Sequence, residues 1–302
     1  MFRHLERSEN TARLIEAGMR IALTRSAEVN DEWESVVTTA GQRDAYLERH
    51  PRFDSETAID FLLRDDSNPS SVLSVIDAAR TNARRARTAL TREVWEATNS
   101  AWMSVRTALA APISQRELPR VLGLIRHESA IVRGTLVGTM LRNDGYNFAR
   151  LGTFVERADS TARILDVKYY VLLPAAHYVG TSLDNAQWET ILRSVSAQRA
   201  FRWQNGGEIT PLAIASFLIL DRQAPRSLAF CFGKIDDNLG HLASQYDQHH
   251  PCNDLARDLR QGLADRTIES IFDEGLHEFL GTSMKATAAL GAAIEHNYRF
   301  AP

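Results

Sequence analysis

The feature that most constrains the fold is a segment that occurs twice in the chain. Leu5–Glu16 reads LERSENTARLIE, and 150 residues later Val155–Asp166 reads VERADSTARILD, with the sign of every charge preserved. Two further blocks recur in the same order, at offsets of 155 and 156 residues: Asn30–Val37 with Asn185–Leu192, and Phe61–Asn82 with Phe217–Asn238. Ordered recurrence of this kind marks a structural unit that is used more than once.

The repeat predicts a tandem duplication of one helical unit. We place the first repeat at 1–143 and the second at 144–302, because Asn143-Asp144-Gly145 is a strong turn signal between them. The two repeats are expected to be related by a pseudo-two-fold axis and to pack as one compact domain.

The segments within each repeat have helical spacing. In the stretch 3–25 the apolar residues Leu5, Ala12, Ile15 and Met19 follow the i, i+3, i+4, i+7 rhythm of one helix face. Strand-like alternation bounded by turn pairs is not evident. The sequence therefore predicts an all-α protein, a bundle of about ten to twelve helices.

Several helix bounds can be predicted from local signals. Prolines are tolerated in a first helical turn, so helices are expected from Pro69, with Asn68 as cap, and from Pro225. Ser114 and Glu117 have the spacing of a capping box that opens a helix towards Met140. The remaining long helices are expected at 144–173, where Pro174 follows, and at 267–289.

Composition excludes some functions. Lys plus Arg is 35 and Asp plus Glu is 38, a near-balance that argues against a nucleic-acid binder. The only cysteines, Cys231 and Cys252, provide neither a disulfide framework nor a zinc site, and Cys231 is expected to be buried. The longest apolar run, 209–220, is too short to cross a bilayer, and residues 1–10 do not form a signal peptide. We expect a cytoplasmic protein.

The repeated motif places a charged stripe on each copy of the first helix. Residues three and four apart share a helix face, which groups Glu6, Glu9 and Arg13 with Asn10 and Glu16. The second copy is grouped in the same way: Glu156, Asp159, Ser160, Arg163 and Asp166. Three interpretations remain open: a solvated face with weak ion pairs, an internal ion-pair network joining the halves, and a polar pocket at the pseudo-two-fold axis.

Other candidate sites have weaker signals. Glu274 and His277 have the Glu-x-x-His spacing of helical di-metal sites, but it has no counterpart in the first half, so no metal site is predicted. Arg226 adjoins an expected helix start, which could hold an anion or could simply be capped. Trp33 and its counterpart Trp188 are expected in the core. No phosphate loop, glycine-rich nucleotide fingerprint or nucleophile elbow occurs.

The two motifs resemble those of the alpha-E family of bacterial helical proteins, which is named for its Glu-Arg motif. Further resemblance lies in Arg133-Gly134, in the run from Met140 to Gly152, and in Pro225-Arg226-Ser227. It extends over essentially the whole chain. Proteins of this family are typically encoded beside a circularly permuted ATP-grasp protein and often beside a transglutaminase-like peptidase. The resemblance implies a system that forms and cuts amide or peptide bonds.

Our main functional hypothesis is a partner of an ATP-grasp amide ligase that has no cofactor of its own, so that ATP and magnesium enter only with the ligase. Arg13, Arg163 and Arg226 would pair with carboxylate or phosphate, and Glu6 and Glu156 would hold an amino group or orient these arginines. Glu9 and Asp159 complete the predicted binding set.

Two alternatives stay open. In the first, the protein is an enzyme in its own right that uses Glu6 and Glu156 as general base and acid. In the second, it is a scaffold in which the stripes form only an ion-pair network.

Overall fold

The protein is described by a computed structural model that covers residues 1–22, 30–171, 182–206 and 209–300. Within these ranges every regular element is helical and no strand occurs. The all-α prediction is therefore confirmed, although the structure has more and shorter helices than the ten to twelve expected. The predicted helix ends near Arg25 and Pro174 lie outside the described residues.

The chain divides into two compact units, Met1–Thr153 and Phe154–Pro302. The helices of the first unit are α1 (Phe2–Ala22), α2 (Asn30–Thr39), α3 (Arg43–Leu47), α4 (Ser55–Leu63), α5 (Val72–Arg85), α6 (Arg92–Ala108) and α7 (Leu118–Thr139). The unit boundary falls inside α8 (Asp144–Val171), and the helices of the second unit that follow are α9 (Ser182–Ser194), α10 (Gln198–Asn205), α11 (Pro211–Ile219), α12 (Leu228–Tyr246), α13 (Pro251–Ala264), α14 (Ile268–Glu274) and α15 (Leu276–Asn297).

In the first unit, α1 is the central helix. It packs against α2, α5 and α7, and its apolar side contributes Leu5, Ala12 and Ile15, which are at most 1% exposed. These are three of the residues whose spacing predicted the helix. Trp33 of α2 is also buried in this core, as predicted.

In the second unit, the buried side chains come mainly from α8, α11, α12 and α15. Trp188 and Cys231 are both buried here, which confirms the predicted core positions. Here α12 packs against α13, while α15 packs against α13 and α14.

Two helix starts lie later than the prolines suggested. The cap of α5 is Ser71, whose hydroxyl accepts from the N–H of Ser74, and the cap of α12 is Ser227, whose hydroxyl accepts from Phe230. Pro69 and Pro225 instead lie in the turns before these caps. The predictions that helices begin at the prolines, with Asn68 as cap, were wrong because a serine in extended backbone can satisfy the first free N–H groups directly.

The predicted helix 267–289 is two helices. Gly275 separates α14 from α15 with φ of +103°, a conformation that a side-chain-bearing residue rarely adopts. A Cβ at this position would also collide with the Glu278 carboxylate. The predicted start at Ser114 is likewise wrong: Ser114 binds Glu117 through its hydroxyl, but α7 begins four residues after Ser114, at Leu118.

No helix in the described ranges is both long enough and apolar enough to traverse a bilayer.

Candidate functional site

The acidic residues of the first motif are buried. Glu6 and Glu9 on α1 are each 1% exposed, and Asn10 beside them is 7% exposed. Leaving a carboxylate in such a place without compensation costs several kcal/mol, so charged or hydrogen-bonding partners are required. In the first unit, the interpretation of the stripe as a solvated helix face is therefore wrong for Glu6 and Glu9.

Two arginines supply the compensating charge. Arg13, one turn along α1, donates to Glu9 Oε1 through Nε at 2.9 Å and through Nη2 at 2.7 Å. Arg133 reaches in from α7, where its Nη1 pairs with Glu9 Oε2 and lies 3.4 Å from Glu6 Oε2. Glu9 is thus held between one guanidinium from its own helix and one from the neighbouring helix.

The ion pairs continue towards the surface along the same two helices. Glu16 on α1 pairs with Arg126 of α7 at 2.7 Å and with Arg20 at 2.9 Å. Its side chain is 27% exposed, in contrast to the buried Glu9. The cluster therefore runs from a buried end at Glu6 to a half-exposed end at Glu16.

A polar contact fixes the two helices beside the buried end. The hydroxyls of Ser8 on α1 and Ser129 on α7 are 3.3 Å apart, and both lie near the carbonyl oxygen of Leu5, at 2.8 and 3.3 Å. Two small side chains here allow the helices to approach closely. Ser129 lies one helical turn before Arg133, so this contact is next to the pairing of Arg133 with the carboxylates.

The second motif, on α8, keeps the helical ion pair but is more accessible. Arg163 donates through Nε to Asp159 Oδ2 at 2.7 Å, and these side chains are 37% and 27% exposed. Glu156 is 6% exposed. The second motif therefore combines a buried glutamate with an accessible Asp–Arg pair.

Another part of α8 holds the turn that leads into α12. Arg157 Nη1 donates to the carbonyl oxygen of Pro225 at 3.2 Å, and the Thr161 hydroxyl donates to that of Arg226 at 2.8 Å. The Arg157 guanidinium also lies 5.4 Å from the ring centre of Phe154. The arginine of the second Glu-Arg pair thus anchors a turn.

One carboxylate of α8 contacts a histidine from another helix. Asp166 Oδ1 is 2.5 Å from Nδ1 of His277, the second residue of α15, and the side chains are 17% and 28% exposed. Asp166 corresponds in the repeat to Glu16, which also receives a cationic or hydrogen-bonding partner from a distant helix.

The structure brings together only some of the predicted site residues. Glu6, Glu9 and Arg13 form one cluster in the first unit, and Asp159 and Arg163 form an ion pair in the second. The list of binding residues predicted from sequence also included Glu156, on the same helix as that pair, and Arg226, whose backbone carbonyl is bound by Thr161.

Arg126 and Arg133 were missed as members of the cluster. Their spacing of seven residues equals the spacing of Glu9 and Glu16, so two antiparallel helices can match both pairs at once. The equal spacing is a feature of the sequence that could have predicted these two ion pairs.

The class of protein defined by these observations is an all-helical protein with paired acidic and basic residues on its long helices. A family profile described as a predicted alpha-helical domain with a conserved ER motif, Alpha-E, matches residues 1–298. The chain belongs to the Alpha-E family. No curated protein and no solved structure is significantly similar to it.

Proposed function

We propose that the protein is a component of an ATP-grasp-linked system that forms amide or peptide bonds, in which it binds substrate or the ligase through its Glu/Arg clusters. ATP and magnesium would belong to the ligase. The observation that carries the proposal is the difference in exposure within both motifs: Glu9 and Glu156 are buried, whereas the ion-paired Arg13 and Arg163 are more accessible.

The accessible arginines suit recognition of an anionic group. A guanidinium has five donors in a fixed fork, and it can keep one edge on a carboxylate while another edge binds carboxylate or phosphate. In both units Nε of the arginine is fixed by an acid one turn earlier, at 2.9 Å for Arg13 and 2.7 Å for Arg163. The same orienting pair therefore recurs on α1 and α8.

The duplication is part of the proposal, and the burial patterns of α7 and α15 support it. All seven buried positions of α7 have a buried counterpart in α15, each 158 residues later, from Leu118 and Leu276 to Leu136 and Ile294. The helix caps Ser71 and Ser227 also correspond. The pseudo-two-fold relation of the repeats stays a prediction.

The same 158-residue correspondence between α7 and α15 also shows a difference between the two copies of the motif. The positions of Arg126 and Arg133 in α7 correspond to Met284 and Gly291 in α15. The positions of α15 that correspond to these two arginines thus have no cation. We therefore assign anion recognition chiefly to Arg163, whose side chain is the more exposed, and charge compensation to the first motif.

The test is co-purification with the ATP-grasp protein encoded beside it in the same genome, with ATP turnover assayed in the mixture. We expect a stable complex with altered turnover. Arg163→Ala should raise the KM for the carboxylate substrate or weaken the complex about tenfold or more, the loss expected for one charge-assisted hydrogen bond. Arg92→Ala, which removes an 84%-exposed arginine from an i,i+4 pair, is the matched control. Absence of a complex together with unchanged turnover would refute the partnership.

A second candidate function, a scaffold with a purely structural ion-pair network, is favoured by the burial of Glu6 and Glu9. It predicts that Glu6→Gln and Glu156→Gln lower the melting temperature and reduce complex formation in proportion. If the protein is instead an enzyme in its own right, these variants would abolish turnover by the isolated chain while its melting temperature stayed constant.

A further inference from the structure

The first unit contains a cavity of about 480 Å³ beside α4. Its walls are residues of α4, His50 after α3, and the segment 112–115 that joins α6 to α7. The apolar part includes Ile59, Leu63 and Leu118, which are all at least nine-tenths buried. A volume of this size lies within the range of small-molecule sites.

A fixed guanidinium lines the cavity. Arg64 donates through Nε to the carbonyl oxygen of Leu109 at 3.1 Å, and its Nη1 pairs with Asp60 Oδ1. The side chain is 21% exposed. Two of its three nitrogens are thereby held in place, so the guanidinium at the cavity wall has a fixed orientation.

Carboxylates outnumber cations around the same space. Asp60, Asp65 and Glu56 all line the cavity, together with the guanidinium of Arg64 and the ring of His50. Burial acts to raise the pKa of Asp65, but hydrogen bonds from Ser67 and nearby positive charge outweigh it and keep this pKa below its ordinary value. Asp65 is thus ionised at neutral pH, and the excess of carboxylates over guanidinium groups among the lining residues favours a cation.

The Asp60–Arg64 pair is not needed for the fold of this repeat, because the corresponding part of the second repeat forms the same helix without it. At an offset of 156 residues, α11 and the turn after it have Ser216 and Leu220 at these positions. Asp65, in contrast, corresponds to Asp221, and each aspartate accepts backbone N–H groups of the turn that follows, Asp65 from Ser67 and Asp221 from Gln223 and Ala224. The aspartate that binds the turn therefore occurs in both units, whereas the Asp60–Arg64 pair occurs only in the first.

The carboxylates are also too dispersed for a metal ion. Within the described residues, no three Asp, Glu, His or Cys side chains converge closely enough to hold one. A small organic molecule can instead contact several of these residues at once, if it has a cationic group and a hydrogen-bond acceptor at different atoms. The apolar wall formed by Ile59, Leu63 and Leu118 suits the carbon part of such a molecule.

We propose that this cavity is a binding site for a small primary-amine compound of the amino-acid amide type. Its ammonium group pairs with Asp60, its carbonyl oxygen accepts from Arg64, and its aliphatic part lies on the apolar wall. A free carboxylate is disfavoured relative to an amide by the excess negative charge. The site involves neither Glu-Arg motif and does not depend on the proposed ligase partnership.

The experiment uses the full chain and three probe pairs: alaninamide, valinamide and leucinamide, each with its N-acetylated form. Saturation-transfer NMR detects binding and calorimetry gives the affinity. We expect binding of at least one amide in the millimolar range or tighter, at least about tenfold weaker binding of its N-acetyl form, and a similar loss in Asp60→Asn. Glu96→Gln, from an exposed i,i+4 pair outside the cavity, should bind like the parent chain.

A double variant guards against loss of folding. Asp60→Ser with Arg64→Leu gives the first unit the residues that the second already has, so it should fold, as checked by circular dichroism, and should lose binding. Equal binding of amides and N-acetyl amides, retention of affinity in the double variant, or no saturable binding of any amide at millimolar concentration would each overturn the proposal. Arg163→Ala, in the second unit, should bind the amides like the parent chain whatever its effect on the ligase partnership, so the failure of one proposal can be distinguished from the failure of the other.

Discussion

Arg133 on α7 pairs with Glu9 on α1, so the buried acid of the first motif is neutralised in part by a cation that is distant in sequence but lies on an adjacent helix. The motif is therefore incomplete without its tertiary partner. Arg133 therefore stabilises the packing of α1 on α7 by compensating buried negative charge.

Removing the Arg133 side-chain charge should be strongly destabilising. Arg133→Met keeps most of the aliphatic stem but leaves Glu6 and Glu9 buried with one guanidinium fewer. Breaking a buried pair in this way typically costs about 3–5 kcal/mol. Urea unfolding followed by circular dichroism measures the change, and Arg92→Met, at an exposed pair, should stay within about 1 kcal/mol of the parent. Similar losses in the two variants would contradict the assigned role of Arg133.

The turn before α12 should depend on one hydroxyl of α8. Thr161 is 1% exposed and donates to the carbonyl oxygen of Arg226. Thr161→Val preserves the shape but removes this buried hydrogen bond, for an expected loss of about 1–3 kcal/mol. Thr135→Val, which removes an exposed hydroxyl bound within α7, is the control and should change stability by less than about 0.5 kcal/mol. Thermal melts compare the two variants.

The caps of α5 and α12 should contribute equally. Ser71→Ala and Ser227→Ala each remove the acceptor for an N–H of the first helical turn, and each should cost about 1 kcal/mol. Ser70→Ala, directly before the first cap, should have little effect because only its backbone N–H takes part in a hydrogen bond. Denaturant midpoints measure the effect, and a large loss in Ser70→Ala would argue that the cap is misassigned.

Acid should weaken the start of α4 through Asp54. Burial acts to raise the pKa of this carboxyl, but hydrogen bonds from Thr57 and Glu56 and the charge of His50 outweigh it, so its pKa is lowered in the folded protein. A lowered pKa stabilises the fold above the unfolded value of about 3.9, and this contribution is lost as the pH falls through the folded value.

Asp54→Asn removes the titrating group but keeps a side-chain oxygen at the cap. We expect the melting temperature of the variant to fall less than that of the parent when the pH is lowered from about 5 to about 3. Matching acid slopes in the two proteins would show that Asp54 does not contribute to the pH dependence.

Both cysteines should be unreactive until the protein unfolds. Cys231 and Cys252 are fully buried, and burial raises the pKa of the Cys252 thiol to about 11. The thiolate, which is the reacting form, is therefore scarce near pH 8. A thiol-specific chromogenic reagent should label neither cysteine in the native protein and both in denaturant. Rapid labelling of the native chain would refute this burial.

The sequence alone determined the helical class, the apolar side of α1 and the core positions Trp33 and Trp188. These features depend on helical periodicity and on side-chain size, both of which can be read along the chain. The helix starts were less predictable. Proline is compatible with a first turn, but the cap falls where a serine hydroxyl meets the free N–H groups.

Only the tertiary structure decided which charges meet. The spacing within α1 predicts the pair of Glu9 with Arg13, but the approach of Arg133 depends on how α7 packs on α1. The same holds for the Arg64 guanidinium, which is fixed by the carbonyl oxygen of Leu109 from another helix end. Local sequence encodes contacts within a turn of helix, whereas contacts between distant segments arise from the packing of whole helices.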